Sequence, residues 1–336
     1  MKKQIRHRKR NKKKQGFLVA FIGILLVFCV MLLLDEENKR NEAATDYKKD
    51  AEASRVNVSY NGRTYVYNEH LSNYLFLGID TREEVDAYDS QRDAGQADAI
   101  FLVSMNRKDN SIQILSIPRD TIAEIEAFNP AGKSLGKTED HINLQYAFGD
   151  GKHKSCNLMK TAVSELLYHI PIQGYCSLNM DGIPVLAELA GGVEVIIPDD
   201  SLEEVNPDFY KGASVTLTAE NVEQFVRFRD IGLSQSALIR QERQKVFLQA
   251  YLKKTQEIVK EDASFVTHLY EGLQPYMVTN MGNDLFVKLL EAADNGTLKS
   301  EDLPGEGVDG DGFDEYLVDK DALYKLVLKM FYREDS

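Results

Sequence analysis

The stretch Ser116-Ile117-Pro118-Arg119-Asp120-Thr121 decides how this chain is read. It closes the apolar run Ile112, Ile114, Leu115 and Ile117, whose length and composition predict a buried strand. Pro118 has no N–H to offer a sheet ladder, so the strand is expected to end there. Arg119 and Asp120 then stand at the rim of a sheet, where open α/β folds hold their ligands. The pair also reads as a plain structural salt bridge.

Outward from this stretch the pattern is α/β. Tyr74 to Ile79 and Ala99 to Met105 are further apolar runs bounded by polar segments, hence expected strands. Val56 to Tyr67 alternates around Asn61-Gly62, a hairpin signal. Leu158, Met159, Ala162, Val163, Leu166 and Leu167 recur at helical spacing, and Ile183 to Leu189 reads as a short helix ended by Gly191-Gly192. Val193 to Ile197 reads as a strand. Thr218 is expected to cap a helix carrying Val222, Phe225 and Val226, and a longer helix is expected from about Ser236 to Val259. Residues 260–298 read as helical and polar, 299–314 as a Gly/Asp-rich connector, and Ala322 to Phe331 as a terminal helix.

Two acids flank the strands. Asp80 follows Ile79 and Asp98 precedes Ala99, so neighbouring antiparallel strands would bring both to one sheet end. Hard oxygens in that position suit Mg²⁺, which takes one or two carboxylates with water and substrate phosphate. Each acid alone also reads as a turn residue. In the long helix, Arg240, Arg243, Gln244 and Phe247 fall on one face. That face suits phosphate, or a solvated surface paired with nearby acids. Arg227 and Arg229 sit at the exit of the preceding helix, where alternation points them the same way. With Arg119 these guanidinium forks suit a pyrophosphate, and metal with arginines is the usual equipment for phosphoryl transfer.

The N-terminus addresses location. Lys2, Lys3, Arg6, Arg8, Lys9, Arg10, Lys12, Lys13 and Lys14 precede an uncharged run from Phe17 to Leu34, which Asp35, Glu36 and Glu37 follow at once. A helix over that run spans roughly 27 Å, close to one hydrocarbon core. The charge order puts a short tail in the cytoplasm and the remainder outside the plasma membrane, as a single-pass anchor. A cleaved secretory signal is the competing reading, weakened by the length of the run. Without those nine bases, 31 Lys and Arg face 53 Asp and Glu, a net charge of −22. Such a surface repels nucleic acid and excludes transcription control. Cys29 falls in the membrane run, while Cys156 and Cys176 either pair outside the cell or stay as buried thiols.

Leu77-Gly78-Ile79-Asp80-Thr81-Arg82, Ala97-Asp98-Ala99-Ile100-Phe101-Leu102-Val103-Ser104, Ser116 to Thr121, Ile142-Asn143 with Tyr146-Ala147-Phe148-Gly149, Asn179-Met180-Asp181-Gly182, Gly191-Gly192-Val193 and Arg240 to Gln244 follow one another in an order that resembles the LytR-CpsA-Psr (LCP) family. The resemblance covers roughly residues 72–255. It implies an α/β fold whose mixed central β-sheet is sandwiched by helices, preceded by one N-terminal transmembrane helix. The divisions are then a basic tail over 1–15, the transmembrane helix over 16–34, a charged stalk over 35–54, a β-hairpin lead-in over 55–71, an LCP-like catalytic domain over 72–259 and a C-terminal helical extension over 260–336.

The resemblance also implies a Mg²⁺-assisted phosphotransferase at the plasma membrane. Its partners would be a glycopolymer (teichoic acid or capsule) on a polyprenyl pyrophosphate carrier, and peptidoglycan as acceptor. Asp80 and Asp98 resemble the metal ligands. Arg119, Arg227, Arg229, Arg240 and Gln244 resemble the pyrophosphate contacts, with Arg243 on the same helix face. Arg119, Asp120 and Arg82 form the expected catalytic rim. The chain departs from the family pattern in three places. Gln96-Ala97-Asp98 stands for Arg-Ser-Asp, His141 for a lysine, and Ser236-Ala237-Leu238-Ile239 for Gly-Asp-x-Gly. The first departure keeps a second reading open: a non-catalytic membrane-anchored binder of polyprenyl-phosphate lipids that regulates or scaffolds wall assembly. Hydrolysis of the carrier pyrophosphate by water is a third. His141 reads as a general base or as a structural residue.

Overall fold

The computed structural model describes residues 57–82, 84–85, 94–129, 131–230, 236–262, 264–281, 298–310 and 314–335. The expected tail, transmembrane helix and stalk lie outside the described residues. Among the described residues no helix is long and apolar enough to cross a membrane. Two compact units are present and are described separately. One comprises 57–180 with 275–281 and 298–335, and the other comprises 181–274.

In the first unit β1 (Val58–Tyr60) and β2 (Arg63–Tyr67) form the expected hairpin. Asn61 and Gly62 take φ of 49° and 75°, the left-handed pair a two-residue hairpin loop requires. Next come β3 (Leu71–Ile79), β4 (Ala97–Asn106) and β5 (Ile112–Ile117), paired antiparallel in sequence order. After Pro118 the chain turns into a hairpin of β6 (Ile122–Phe128) and β7 (Ser134–His141), which alternation in the sequence did not announce. The short α1 (Leu144–Ala147) and the amphipathic α2 (His153–Leu166) follow, then β8 (Gly174–Asn179), parallel to β3.

The second unit begins with α3 (Gly182–Leu189) and the antiparallel pair β9 (Val193–Ile196) and β10 (Ser214–Leu217). Helix α4 (Val222–Arg227) starts after Asn221 rather than at Thr218. Thr218 instead closes the turn ahead of it, donating its N–H to Asn221 Oδ1 at 2.8 Å. Helices α5 (Ser236–Glu261) and α6 (Phe265–Leu273) complete the unit.

The remaining strands belong to the first unit. β11 (Met277–Thr279) pairs with β8, and β12 (Leu298–Asp302) runs parallel to β5. The central sheet is therefore mixed, in the order β11-β8-β3-β4-β5-β12. β13 (Gly305–Asp309) and β14 (Asp314–Val318) form a hairpin, α7 (Lys320–Phe331) follows, and β15 (Tyr332–Glu334) joins β2. The C-terminal stretch thus differs from the expected helical extension, because it supplies an edge of the main sheet. Its polar strand Leu298-Lys299-Ser300-Glu301-Asp302 carries no apolar alternation, so only the partner β5 makes it a strand.

The core follows the period of two. Leu71, Leu75, Leu77 and Ile79 of β3 gather with Ile100 and Leu102 of β4 and Leu115 and Ile117 of β5. They share one apolar core with Met159 and Val163 of α2 and Leu323, Val327 and Phe331 of α7. Asn73 occupies this face, fully buried, and is satisfied. Its Nδ2 donates to Tyr67 Oη at 3.0 Å and to the Pro171 carbonyl at 2.7 Å, and its Oδ1 accepts from Ser104 at 2.6 Å. Cys156 and Cys176 are separate buried thiols, and burial pushes the Cys156 thiol up to about 12.

Candidate functional site

The pairing pattern brings the C-terminal ends of β3, β5 and β8 and the N-terminal end of β4 to one end of the sheet. Ile79 lies beside both Ala97 and Asn179 there. Opposite Gly78 stands Ala99, and opposite Ile79 stands Ala97, so Asp98 is the extra residue of a β-bulge. A bulge re-aims one side chain out of the alternation, and bulges are enriched beside active sites. Here it presents Asp98 to Arg119.

Asp80 is tied to the opposite strand at both ends. Its N–H donates to the Gln96 carbonyl at 3.1 Å, and its Oδ1 accepts from the Gln96 N–H at 2.5 Å. Gly95 makes this approach possible. Its φ is 73°, and a Cβ there would lie 2.2 Å from Thr81 Cγ2 and 2.9 Å from Asp80 Oδ1.

Arg119 spreads its fork over three acceptors. Nη1 donates to Asp98 Oδ1, Nε to Asp120 Oδ1 at 3.0 Å, and Nη2 to Gln96 Oε1 at 3.4 Å. The Asp98 and Asp120 side chains are 9% and 22% exposed, and that of Arg119 26%, so the pairs sit in a sheltered rim. A guanidinium has five N–H groups, and these contacts use three, which leaves two for a ligand. The salt bridge of the sequence reading is present. It does not exclude ligand binding.

The amide orientations follow from the arginine. Gln96 Oε1 must face Arg119, which only donates, so the second group on that oxygen must donate too. Asn143 Nδ2 does so at 3.0 Å. Asn143 Oδ1 is thereby turned away and has no hydrogen-bond partner, although the residue is only 2% exposed. A buried acceptor left unmade costs about 1–3 kcal/mol. The backbone locks the arrangement, since Asn143 N–H donates to the Arg119 carbonyl and Ala97 N–H to the Asn143 carbonyl, each at 3.3 Å. Gln96 and Asn143 are the residues that sequence reading undervalued. Gln96 drew notice only as a missing arginine, yet it joins Asp80, Arg119 and Asn143.

Among the described residues no three His, Cys, Asp or Glu side chains cluster as a metal cage. Of the three carboxylates at this sheet end, Asp80 and Asp98 are those that could be offered to a hard cation, with water and ligand oxygens completing the shell. Arg82 follows on the exposed segment beyond Asp80. His141 lies at the end of β7 with Nδ1 3.1 Å from Asp140 Oδ1 and Nε2 3.1 Å from the Asp314 carbonyl. Both neighbours only accept, so the ring makes both hydrogen bonds at once in its doubly protonated form. Burial lowers its pKa, but the Asp140 carboxylate, the Asp314 carbonyl and the Asp120 charge outweigh it, and the net shift is upward.

The second unit holds the other arginines. Arg227 pairs with Glu223 at 3.0 Å one helical turn away. Gln244 Nε2 donates to the Val226 carbonyl at 3.1 Å. Arg240 is half-buried on α5, and Arg229 half-buried on the exit from α4. Arg243, expected on the phosphate-facing side of α5, is 1% exposed and sits among protein partners. Nη2 donates to the Phe228 carbonyl, Nη1 to Ser201 Oγ at 3.3 Å, and Nε stands 3.9 Å from Asp199 Oδ2.

The LytR_cpsA_psr family matches residues 30–331 of this sequence. The chain belongs to that family. A curated relative is the polyisoprenyl-teichoic acid–peptidoglycan teichoic acid transferase TagU of Bacillus mycoides, 28% identical over 310 residues that cover 88% of this chain and 89% of the relative. Two solved structures share the fold. Protein gbs0355 of Streptococcus agalactiae has a TM-score of 0.60 and 24% identity, covering 77% of this chain and 87% of its own. Bacillus subtilis TagV has a TM-score of 0.56 and 21% identity, covering 78% and 97%. The mixed α/β fold about a mixed central sheet is thus that of the LytR_cpsA_psr family. Within it, this member builds its sheet-end cluster around a glutamine carboxamide.

Proposed function

We propose that the protein is a Mg²⁺-dependent phosphotransferase that moves an anionic glycopolymer from a polyprenyl pyrophosphate carrier to a peptidoglycan hydroxyl. It would act on the outer face of the plasma membrane, held by a single N-terminal helix with the N-terminus inside. Family membership supports a cell-wall glycopolymer transferase, and the TagU relative carries that activity in its name. One observation carries the reading onto this chain. Asp80, Asp98, Arg119 and Asp120 meet at the carboxyl end of the sheet, linked through Gln96.

In the reaction the acceptor hydroxyl attacks the sugar-linked phosphorus. A new P–O bond forms, the bond to the bridging oxygen breaks, and the polyprenyl phosphate leaves with the electron pair while the hydroxyl proton passes to a base. Mg²⁺ held by Asp80 and Asp98 would neutralise charge on the pyrophosphate oxygens. The unpartnered Asn143 Oδ1 is a hard acceptor within the same cluster and fits that donor set. Arg119 contributes its two remaining N–H groups to the phosphate, held in place by Asp98, Asp120 and Gln96. Within the second unit, Arg227, Arg229, Arg240 and Gln244 are the residues that would contact pyrophosphate.

The test incubates the full-length protein with a polyprenyl-pyrophosphate-linked sugar polymer, Mg²⁺ and nascent peptidoglycan, and follows the new phosphodiester by mass spectrometry. Transfer by the native protein, abolished by Asp98→Ala with lipid binding retained, is the expected result. Lipid binding without transfer in the native protein would identify a regulator or scaffold instead. Release of sugar phosphate without attachment would identify a hydrolase.

A further inference from the structure

We infer that Arg243 is a positioning residue: it latches the exit of α4, Val226 to Asp230, so that Arg229 is presented to the phosphate, and does not itself touch the ligand. The inference rests on the pyrophosphate reading of the second unit's arginines and refines it. Arg243 and Gln244 are neighbours on α5, and both side chains donate to carbonyls of the preceding exit. Arg243 Nη2 takes the carbonyl of Phe228, and Gln244 Nε2 that of Val226. These rungs lie two residues apart and bracket the segment where α4 gives way to extended backbone, Phe228 taking φ −53° and ψ 134°. The guanidinium carbon also stands 5.8 Å from the centroid of the Phe228 ring, a cation–π contact on the same residue.

The other side of the guanidinium is held by one hydrogen bond and one charge, since the buried Nε itself has no hydrogen-bond partner. Nη1 reaches Ser201 Oγ at 3.3 Å and Nε faces Asp199, while the Ser201 N–H donates to Asp199 Oδ1 at 3.0 Å, so the anchor is itself a closed turn. With 1% of the side chain exposed, Arg243 has no surface to offer a pyrophosphate. A buried guanidinium that kept this geometry for packing alone would be an expensive choice, because its desolvation is offset only by the bonds it makes. What those bonds immobilise is a stretch carrying Arg227 and Arg229 into the exit. A planar fork does this where lysine cannot, since one Nζ does not span both the Phe228 carbonyl and the Ser201 hydroxyl.

The experiment measures inorganic pyrophosphate binding by calorimetry on the full-length protein, its Arg243→Lys, Arg229→Ala and doubly substituted forms. Hydrogen exchange over residues 226–230 is followed in parallel. Arg243→Lys is expected to weaken binding by about tenfold, the factor one charge-assisted hydrogen bond carries. It should also speed exchange at Phe228 to Asp230, and add nothing once Arg229 is alanine. A Ser201→Ala form, which removes the acceptor of Nη1, should act in the same direction with a smaller loss, and serves if Arg243→Lys does not fold. Additive losses, or unchanged exchange, overturn the positioning role while leaving the pyrophosphate site intact. Absence of pyrophosphate binding in the native protein overturns both.

Discussion

Replacing Asp98 with asparagine separates the pairing with Arg119 seen in the structure from the proposed role of that carboxylate in holding a cation. The substitution keeps the shape of the bulge and removes the charge facing Arg119. A hydrogen bond to a charged partner contributes about 1.5–3 kcal/mol. Arg119 is 26% exposed and retains Asp120 and Gln96, so the loss belongs near the lower end, about 1.5–2 kcal/mol. For a folded region of this size each kcal/mol moves the melting temperature by roughly 2–4 °C, which gives a fall of about 3–8 °C. The proposed role concerns the cation. A ligand at a hundred times its Kd stabilises the native state by about 2.7 kcal/mol. Saturating Mg²⁺ should therefore raise the native melting temperature by several degrees, and this gain should vanish in Asp98→Asn. The assay is thermal unfolding followed by circular dichroism, with Mg²⁺ or EDTA, alongside polymer transfer. A variant that melts with the native protein, still responds to Mg²⁺ and still transfers polymer would refute the reasoning about this sheet end.

Other substitutions probe the supports around it. Gly95→Ala forces a Cβ against Thr81 and Asp80 at a φ of 73°, and should cost about 2–4 kcal/mol by overpacking and left-handed strain; a urea midpoint unchanged from native would show that this loop does not hold Asp80. The His141 imidazolium bridges Asp140 and Asp314 with its pKa raised, so its contribution to stability is complete below the unfolded value near 6.5 and fades as pH rises through the folded value. Native protein should accordingly lose more stability than His141→Gln between pH 6 and 8 in urea titrations, and parallel losses would mean that the ring is not a folded-state cation.

Much of the architecture was legible because its causes are local. Tyr74 to Ile79, Ala99 to Met105 and Ile112 to Ile117 are apolar runs too short for helices, and each became a strand of the central sheet. Asn61-Gly62 specified its own hairpin through two left-handed φ angles. Pro118 ended β5 where a missing N–H requires it, and Arg119 and Asp120 emerged at the rim. Placing Asp80 and Asp98 at one sheet end needed only that β3 and β4 be antiparallel neighbours.

Tertiary structure decided what depends on partners far away in sequence. Gln96 and Asn143 are ordinary polar residues until the fold sets their amides together across 47 positions, with Arg119 dictating which atom of each must donate. Arg243 looked like one more phosphate ligand on a helical face, and only the turn at Asp199 to Ser201, 42 positions away at Ser201, turned it inward. β12 is a strand because β5 has an open edge, not because of any pattern of its own. Periodicity and backbone chemistry record what a segment prefers by itself, whereas hydrogen-bond direction and burial are properties of a pair, which exists only once the chain has closed.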